Sequence, residues 1–452
     1  MGNQGGVMEN SPMYGQPGYE GHLTNRIVPV PALMKEAGYH TYTTGKWHLG
    51  TREEDSPLAK GFERSFNLLQ GGGNHFNNTG IELEDTLSSY REDGQLVDYP
   101  EGQYSTEFYT NKLIEFIREG RSKDSKSFFA FAAYTSPHWP LQVPEDYLDR
   151  YTGDFDMGYD SLRKWRFESL KEAGMIPPDA TLPPRLNSIT PWDSLTREEQ
   201  KSESRKMELY AAMVDNLDYH IGRLLQFLKD ENIYENTIII FMSDNGAASD
   251  DFYNEAWSRD FIRKHYDNAY ENMGRVNSFV SYGPQWAQAG AAPFNRFKSY
   301  TTEGGMLAPF IIAGPGIPAG GEIQDTYFTV MDIAPTFYEL AGIDYPGQAR
   351  GAEVYPLLGN SILPYLQGKS NTIHDEDYGI GLEHGGRIFY RKGDWKLVQL
   401  ERPSGKNEFL LFNVARDIGE TEDIASMYPE KFQELQQEWK LFVKNNNIIL
   451  SE

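Results

Sequence analysis

Five residues in three short stretches have the types and spacing to do chemistry. Lys46 and His48 sit two apart in "GYHTYTTGKWHLG" (residues 38–50), His138 lies in "TSPHWP" (135–140), and Asp244 and Asn245 lie in "SDNG" (243–246). A lysine ammonium beside an imidazole suits a tetrahedral oxyanion: the lysine brings charge, and the histidine donates a hydrogen bond or a proton. His138 has the chemistry of a general acid for a leaving oxygen. Asp244 and Asn245 are two hard oxygen donors of the kind calcium or magnesium prefers. Each stretch also has a plain structural reading. Lys46 could be solvated, His48 could simply pack, His138 could brace a proline-flanked loop, and Asp-Asn-Gly is ordinary turn chemistry.

What sharpens these readings is the elements that must carry the residues. "VPVPALMKEAGY" reads as a helix with Pro31 near its start and Gly38 just past its end, and "YHTYTT" follows as a short strand. Three further apolar runs, "FFAFAAY" (128–134), "TIIIFM" (237–242) and "APFIIAG" (308–314), read as strands covered on both faces. Ahead of the second, Tyr210, Val214, Leu217, Ile221, Leu224, Leu225 and Leu228 recur at helical spacing. The expectation is an α/β fold with a large, mostly parallel central sheet between helices. Ligands in such sheets bind beyond the carboxyl ends of the strands. Three predicted strand ends deliver the lysine, both histidines, the aspartate and the asparagine there. In extended chain, residues two apart point the same way, which would put Lys46 and His48 on one face.

Residues 1–26 read as loop, 150–200 as a proline-rich surface excursion, and 249–300 as an irregular aromatic insertion of the kind that lines substrate sites. The texture changes near residue 370. "RIFYRKGDWKLVQL" reads as a hairpin turning at 392–394, and "FLLFNV" as a further strand. "YPEKFQELQQEWKLFVKNN" reads as a helix with Phe432, Leu435, Trp439 and Phe442 on one face. The expected division is a large α/β domain over 1–369 and a smaller α+β domain, an antiparallel sheet plus helix, over 370–452.

Composition narrows the function. The formal charge of -24 argues against nucleic acid and anionic membranes as partners. The sequence has no cysteine, which excludes disulfides, thiolate metal sites and a cysteine nucleophile in the chain as written. No apolar run is long enough to span a bilayer, and the first residues lack the regions of a secretory signal. The expectation leans to the cytoplasm.

"GYHTYTTGKWHLG" resembles the second signature of the sulfatases, G-Y-x-T-x-x-x-G-K-W-H-x-G. "SPHWP", "FMSDNG", "FKSYTTEGGMLAPFIIAGPG", "GDWKLV" and "LFNVARDIGETEDIA" follow in that family's order, and "YAAMVDNLDYHIGRLL" is shared with its bacterial and fungal arylsulfatase group. The resemblance implies an alkaline phosphatase superfamily fold and hydrolysis of sulfate esters. By position it implies that Lys46 contacts the sulfate and the nucleophile, and that His48 assists the nucleophile's hydroxyl. It implies that His138 and Lys298 hold the sulfate and serve the leaving alcohol, and that Asp244 and Asn245 are two ligands of a calcium ion. Lys298, in "FNRFKSYTTEGG", is chosen by the resemblance alone.

The sequence departs from the pattern at its reactive centre. Family members use a formylglycine made within C/S-x-P-S/T-R, and no such motif occurs here. The acidic pair that completes the calcium shell is missing as well. The expectation is an N-terminally shortened form of the fold, with an unpaired sheet interior and little or no turnover. Two rivals share the strand-end chemistry: a phosphatase or phosphodiesterase of the same superfamily, and a non-catalytic anion or sulfated-glycan binding protein.

Overall fold

The computed structural model describes residues 13–81, 87–256, 258–318 and 320–450. Part of the expected N-terminal loop, residues 1–12, therefore lies outside the described residues.

The fold is organised around β1 (His40–Lys46), reached through α1 (Val30–Glu36). Pro31 stands in the first turn of α1, and Gly38, at φ +90°, takes the left-handed position just past its end. Three short β-branched side chains of β1, Thr41, Thr43 and Thr44, are fully buried. Parallel neighbours flank β1 on both sides: β2 (Arg64–Leu68) and β5 (Phe128–Ala133), with Thr44 opposite Phe66 and Ala132. Two antiparallel strands, β3 (Tyr90–Glu92) and β4 (Gln95–Val97), extend the sheet beyond β2, giving the order β4-β3-β2-β1-β5. α2 (Ser105–Lys123) covers one face through Phe108, Leu113, Phe116 and Ile117, packed on Tyr42, Phe66 and Leu68.

α3 (Gly158–Glu172) and the 34-residue α4 (Arg197–Asp230) follow. Thr196 and Glu199 close a capping box that starts α4. The 150–200 stretch is not a surface excursion. Tyr159, Leu162, Ile189 and Trp192 are buried with Trp286 in the largest core cluster. The aromatic residues between the prolines supply apolar area that outweighs the local polarity.

β6 (Ile239–Met242) departs from expectation. It pairs antiparallel with β7 (Phe310–Ala313) in a separate two-stranded sheet. Neither this pair nor the outer edge of β5 is covered as an apolar run predicts. Phe131, Phe241 and Met242 are each about two-fifths exposed or more, and Ile311 is 61% exposed. Among the described residues, β5 has a partner on one edge only. The five-stranded sheet is itself mixed, parallel across β2-β1-β5 and antiparallel across β4-β3-β2, rather than one continuous parallel array. Between β6 and β7 lie α5 (Arg259–His265), α6 (Gly283–Gly290) and α7 (Glu303–Met306).

Beyond α8 (Ile333–Ala341), a two-residue strand pair β8–β9 (Gln348–Ala349, Ala352–Glu353) and α9 (Leu363–Leu366), the chain builds a smaller sheet. Its strands β10 (Gly379–His384), β11 (Arg387–Lys392), β12 (Trp395–Gln399) and β13 (Phe409–Asn413) are all antiparallel. α10 (Pro429–Asn445) seals one face, with Leu435 and Trp439 buried on Ile388, Tyr390, Leu397 and Leu411.

Candidate functional site

The site gathers where β1 and β5 end. Because the two strands are parallel and in register, Lys46 and the 135–140 segment leave the sheet at the same rim. Gly45 makes this possible. It sits at φ +100°, and a Cβ there would lie 1.9 Å from the carbonyl oxygen of Ala133. No other residue fits so close to β5.

Past Lys46 the chain does not stay extended, so the two-residue alternation does not explain the pairing with His48. Instead Trp47 N–H donates to the Leu68 carbonyl (2.8 Å) and His48 N–H to that of Leu69 (3.2 Å). The Trp47 indole N–H also donates to the carbonyl of Asp55 (2.8 Å), and its ring is buried beside Phe62 and Leu69. His48 takes a left-handed conformation, φ +50°, which re-aims its ring.

Both imidazoles rest on the glycine run after β2. A Cβ at Gly71 would fall 2.9 Å from His48 Cε1, and one at Gly72 would fall 3.4 Å from His138 Nδ1. Gly71-Gly72-Gly73 is thus a floor that larger residues would fill. His138 Nδ1–H donates to the Trp139 carbonyl (2.8 Å), so the neutral ring keeps its bare lone pair on Nε2. His75 braces this turn, its Nδ1 bonded to Ser105 Oγ (2.7 Å) and its Nε2 to the His138 carbonyl (3.2 Å). Trp139 packs against His138 and Phe252, with ring centres 4.2 Å apart in both pairs, and Phe279 lies beyond. The 249–300 insertion therefore supplies an aromatic wall next to His138.

Lys298 arrives from the loop before α7. Its backbone N–H donates to the carbonyl of Ala247 (3.0 Å), tying that loop to the Asp244–Asn245 bend. Gly246 packs against the same loop, since a Cβ there would meet the Gly304 carbonyl oxygen at 1.9 Å.

The electrostatics show that these groups share one space. Burial, then Lys46 and Lys298, push His48 down to about 4. The same three causes hold His138 well below the usual histidine range. Burial and Lys298 lower Lys46, while Asp244 opposes them. At neutral pH the site therefore holds two lysines and two uncharged imidazoles, with Asp244 acting on Lys46. Asn245 adjoins through the same bend, its side-chain NH2 donating to the Gly246 carbonyl (2.9 Å).

Asp244 and Asn245 offer two oxygen donors to a cation. A calcium shell needs six to eight, and among the described residues no three Asp, Glu or His side chains stand together as metal ligands. The residues present do not by themselves fit calcium.

Sequence reasoning passed over two parts of the site. The glycine floor is visible as "GGG" directly after a strand-like run, and His75 follows two residues later. Lys298 carries no local signal, because contacts distant in sequence place its loop.

Two lysines and two neutral imidazoles thus gather beside the carboxyl ends of parallel strands in an α/β layer, where ligands bind in folds of this class. The family model described as Sulfatase matches residues 4–343. The chain belongs to the sulfatase family, whose activity is hydrolysis of sulfate esters. It is 38% identical to an uncharacterized sulfatase of Schizosaccharomyces pombe, over 96% of this chain and 80% of the relative. It is also 38% identical to an arylsulfatase of Klebsiella aerogenes, over 79% of this chain and 77% of that enzyme. The fold matches the solved structure of Ps i-CgsB in complex with k-i-k-neocarrahexaose, with a TM-score of 0.60 and 21% identity, over 94% of this chain and 77% of that one. Among the described residues no helix is long and apolar enough to cross a membrane.

Proposed function

We propose that this polypeptide binds sulfate monoesters of aryl or similarly apolar alcohols at the Lys46–His48–His138–Lys298 cluster. The observation that carries the reading is the packing of His48 and His138 on the adjoining Gly71 and Gly72, where Lys46 and Lys298 both act on the two imidazoles. Lys46 and Lys298 neutralise the sulfuryl oxygens, and a bound anion raises the proton affinity of the imidazoles. His138 can then present Nε2–H to the ester oxygen. Trp139, backed by the buried Phe252 and Phe279, offers an apolar ring to an aryl group, and the arylsulfatase name of the Klebsiella relative supports that choice.

The sequence holds neither a cysteine nor a Ser-x-Pro-x-Arg stretch. The 452-residue polypeptide is therefore proposed to bind sulfate esters without rapid turnover. Asp244 and Asn245 are proposed as two donors of a cation site that needs further ligands. Calorimetric titration with inorganic sulfate, alongside a chromogenic aryl sulfate and its phosphate counterpart, tests both halves. Binding without release of the aryl alcohol is expected. Robust release from the sulfate would overturn the claim of no turnover, and preference for the phosphate would overturn the substrate class.

A further inference from the structure

The loop that carries Lys298 has little to hold it locally. Its regular structure is the four-residue α7, and Arg296 (φ +60°) and Ser299 (φ +75°), two residues before Lys298 and one after it, are left-handed without being glycine. Such conformations are strained for residues with a side chain and persist only where the surroundings enforce them.

The enforcing contacts come from the small C-terminal sheet. Arg387 on β11 donates to the Ser299 carbonyl and lies over the Tyr300 ring, 4.3 Å from its centre. Thr301 Oγ1 donates to the carbonyl of Ile388 (3.1 Å). Deepest is an ion triad. Lys396 on β12, fully buried, places Nζ 2.5 Å from Glu303 Oε1 and 2.9 Å from Glu420 Oε1. Glu420 Oε2 in turn accepts the backbone N–H of Glu303 (2.7 Å). The triad therefore grips both the side chain and the main chain of Glu303, five residues from Lys298.

A buried lysine between two carboxylates is a poor device for stability alone, because desolvation offsets most of the attraction. It is a good device for fixing one geometry, since each partner has a single place to go. We propose that Lys396 is a positioning residue: with Glu303 and Glu420 it locks the 295–306 loop to the C-terminal sheet and so sets Lys298 in the sulfate site. This rests on the reading that Lys298 helps bind sulfate.

A double-mutant cycle tests it. Lys396→Met is expected to weaken binding of inorganic sulfate at least tenfold. It is expected to add nothing once Lys298→Ala is present, because its effect passes through that lysine. Full additivity, or unchanged affinity in Lys396→Met, would overturn the proposal. Hydrogen exchange supplies a readout that does not depend on sulfate. Amides of 295–306 should exchange at least tenfold faster in Lys396→Met while those of β1 keep their protection. Unchanged exchange there would overturn the proposal even if the wild-type chain bound no sulfate, a result that by itself would refute only the binding site. Should Lys396→Met fail to fold, Arg387→Met goes into the same two assays with the same expectations. Its guanidinium is partly exposed and its loss leaves no buried charge unpaired.

Discussion

The proposed sulfate site has two walls of opposite construction. One, carrying Lys46, His48 and His138, is built on adjacent parallel strands and their immediate exits. The other, carrying Lys298, is an irregular loop clamped from behind by a different sheet. The strand wall gets its precision from register, which is local and cooperative. The loop wall gets its precision from a few polar contacts between segments about 90 to 120 residues apart in the chain, as the Glu303–Lys396 and Glu303–Glu420 pairs show. Two ways of holding a cation should fail in different ways.

The largest effect should come from striking the strand wall at Gly45. Any side chain there meets the Ala133 carbonyl at 1.9 Å, in a backbone conformation that L-residues rarely adopt. Gly45→Ala is expected to cost on the order of 3 kcal/mol or more, because β1 must move away from β5. Chemical denaturation would show it as a lower midpoint. Near-wild-type stability would mean that β1 and β5 are not held this closely. The matching strike on the loop wall is Gly246→Ala, whose Cβ would meet the Gly304 carbonyl. It should weaken sulfate binding and lower the denaturation midpoint by less than Gly45→Ala does, since Gly246, unlike Gly45, does not hold a left-handed backbone.

Removing the charges themselves comes next. Each charge-assisted contact is worth roughly 1.5–3 kcal/mol, so Lys46→Ala combined with Lys298→Ala should reduce sulfate affinity by about 100-fold or more. Retention of binding in the double variant would place the anion elsewhere. If the walls act together on one anion, the two single losses should not simply add.

The same contrast explains what could be read from the sequence. Lys46, His48, His138 and the Asp244–Asn245 bend were legible because a strand-like run precedes each of them, and the rule for strand ends then does the rest. The small sheet with its helix was legible too, from the turn after Lys392 and the spacing of Leu435 and Trp439. Lys298 was not, since nothing near it reveals Arg387 or Lys396 as partners. The α4 pattern, Tyr210 to Leu228, falls inside a real helix that begins earlier, at Arg197, and not every position in it faces the core: Val214 is exposed. The expected two-sided burial of β5, β6 and β7 failed for a related reason. An apolar run shows that a strand wants cover, and what covers it is a tertiary fact that the run does not contain.

The smallest effect, and the most direct measure of how the walls meet, is the titration of His48. Its imidazole is held near 4 by burial first and then by one lysine from each wall. A histidine whose folded pKa lies below its unfolded value near 6.5 favours the fold while it is neutral. Its contribution is present above about pH 6.5 and is lost as the pH falls toward 4. His75, fully buried and also held at about 4, has the same sign, so acid should destabilise the protein across that window. NMR titration should show Lys46→Met raising the His48 pKa by about one unit, the scale of a nearby charge, with Lys298→Met raising it less, in the order in which the two lysines act. Bound sulfate should raise it as well, by countering both charges at once. A His48 pKa that responds to Lys46 but not to Lys298 would show that the loop wall stands farther from the strand wall than this geometry has it.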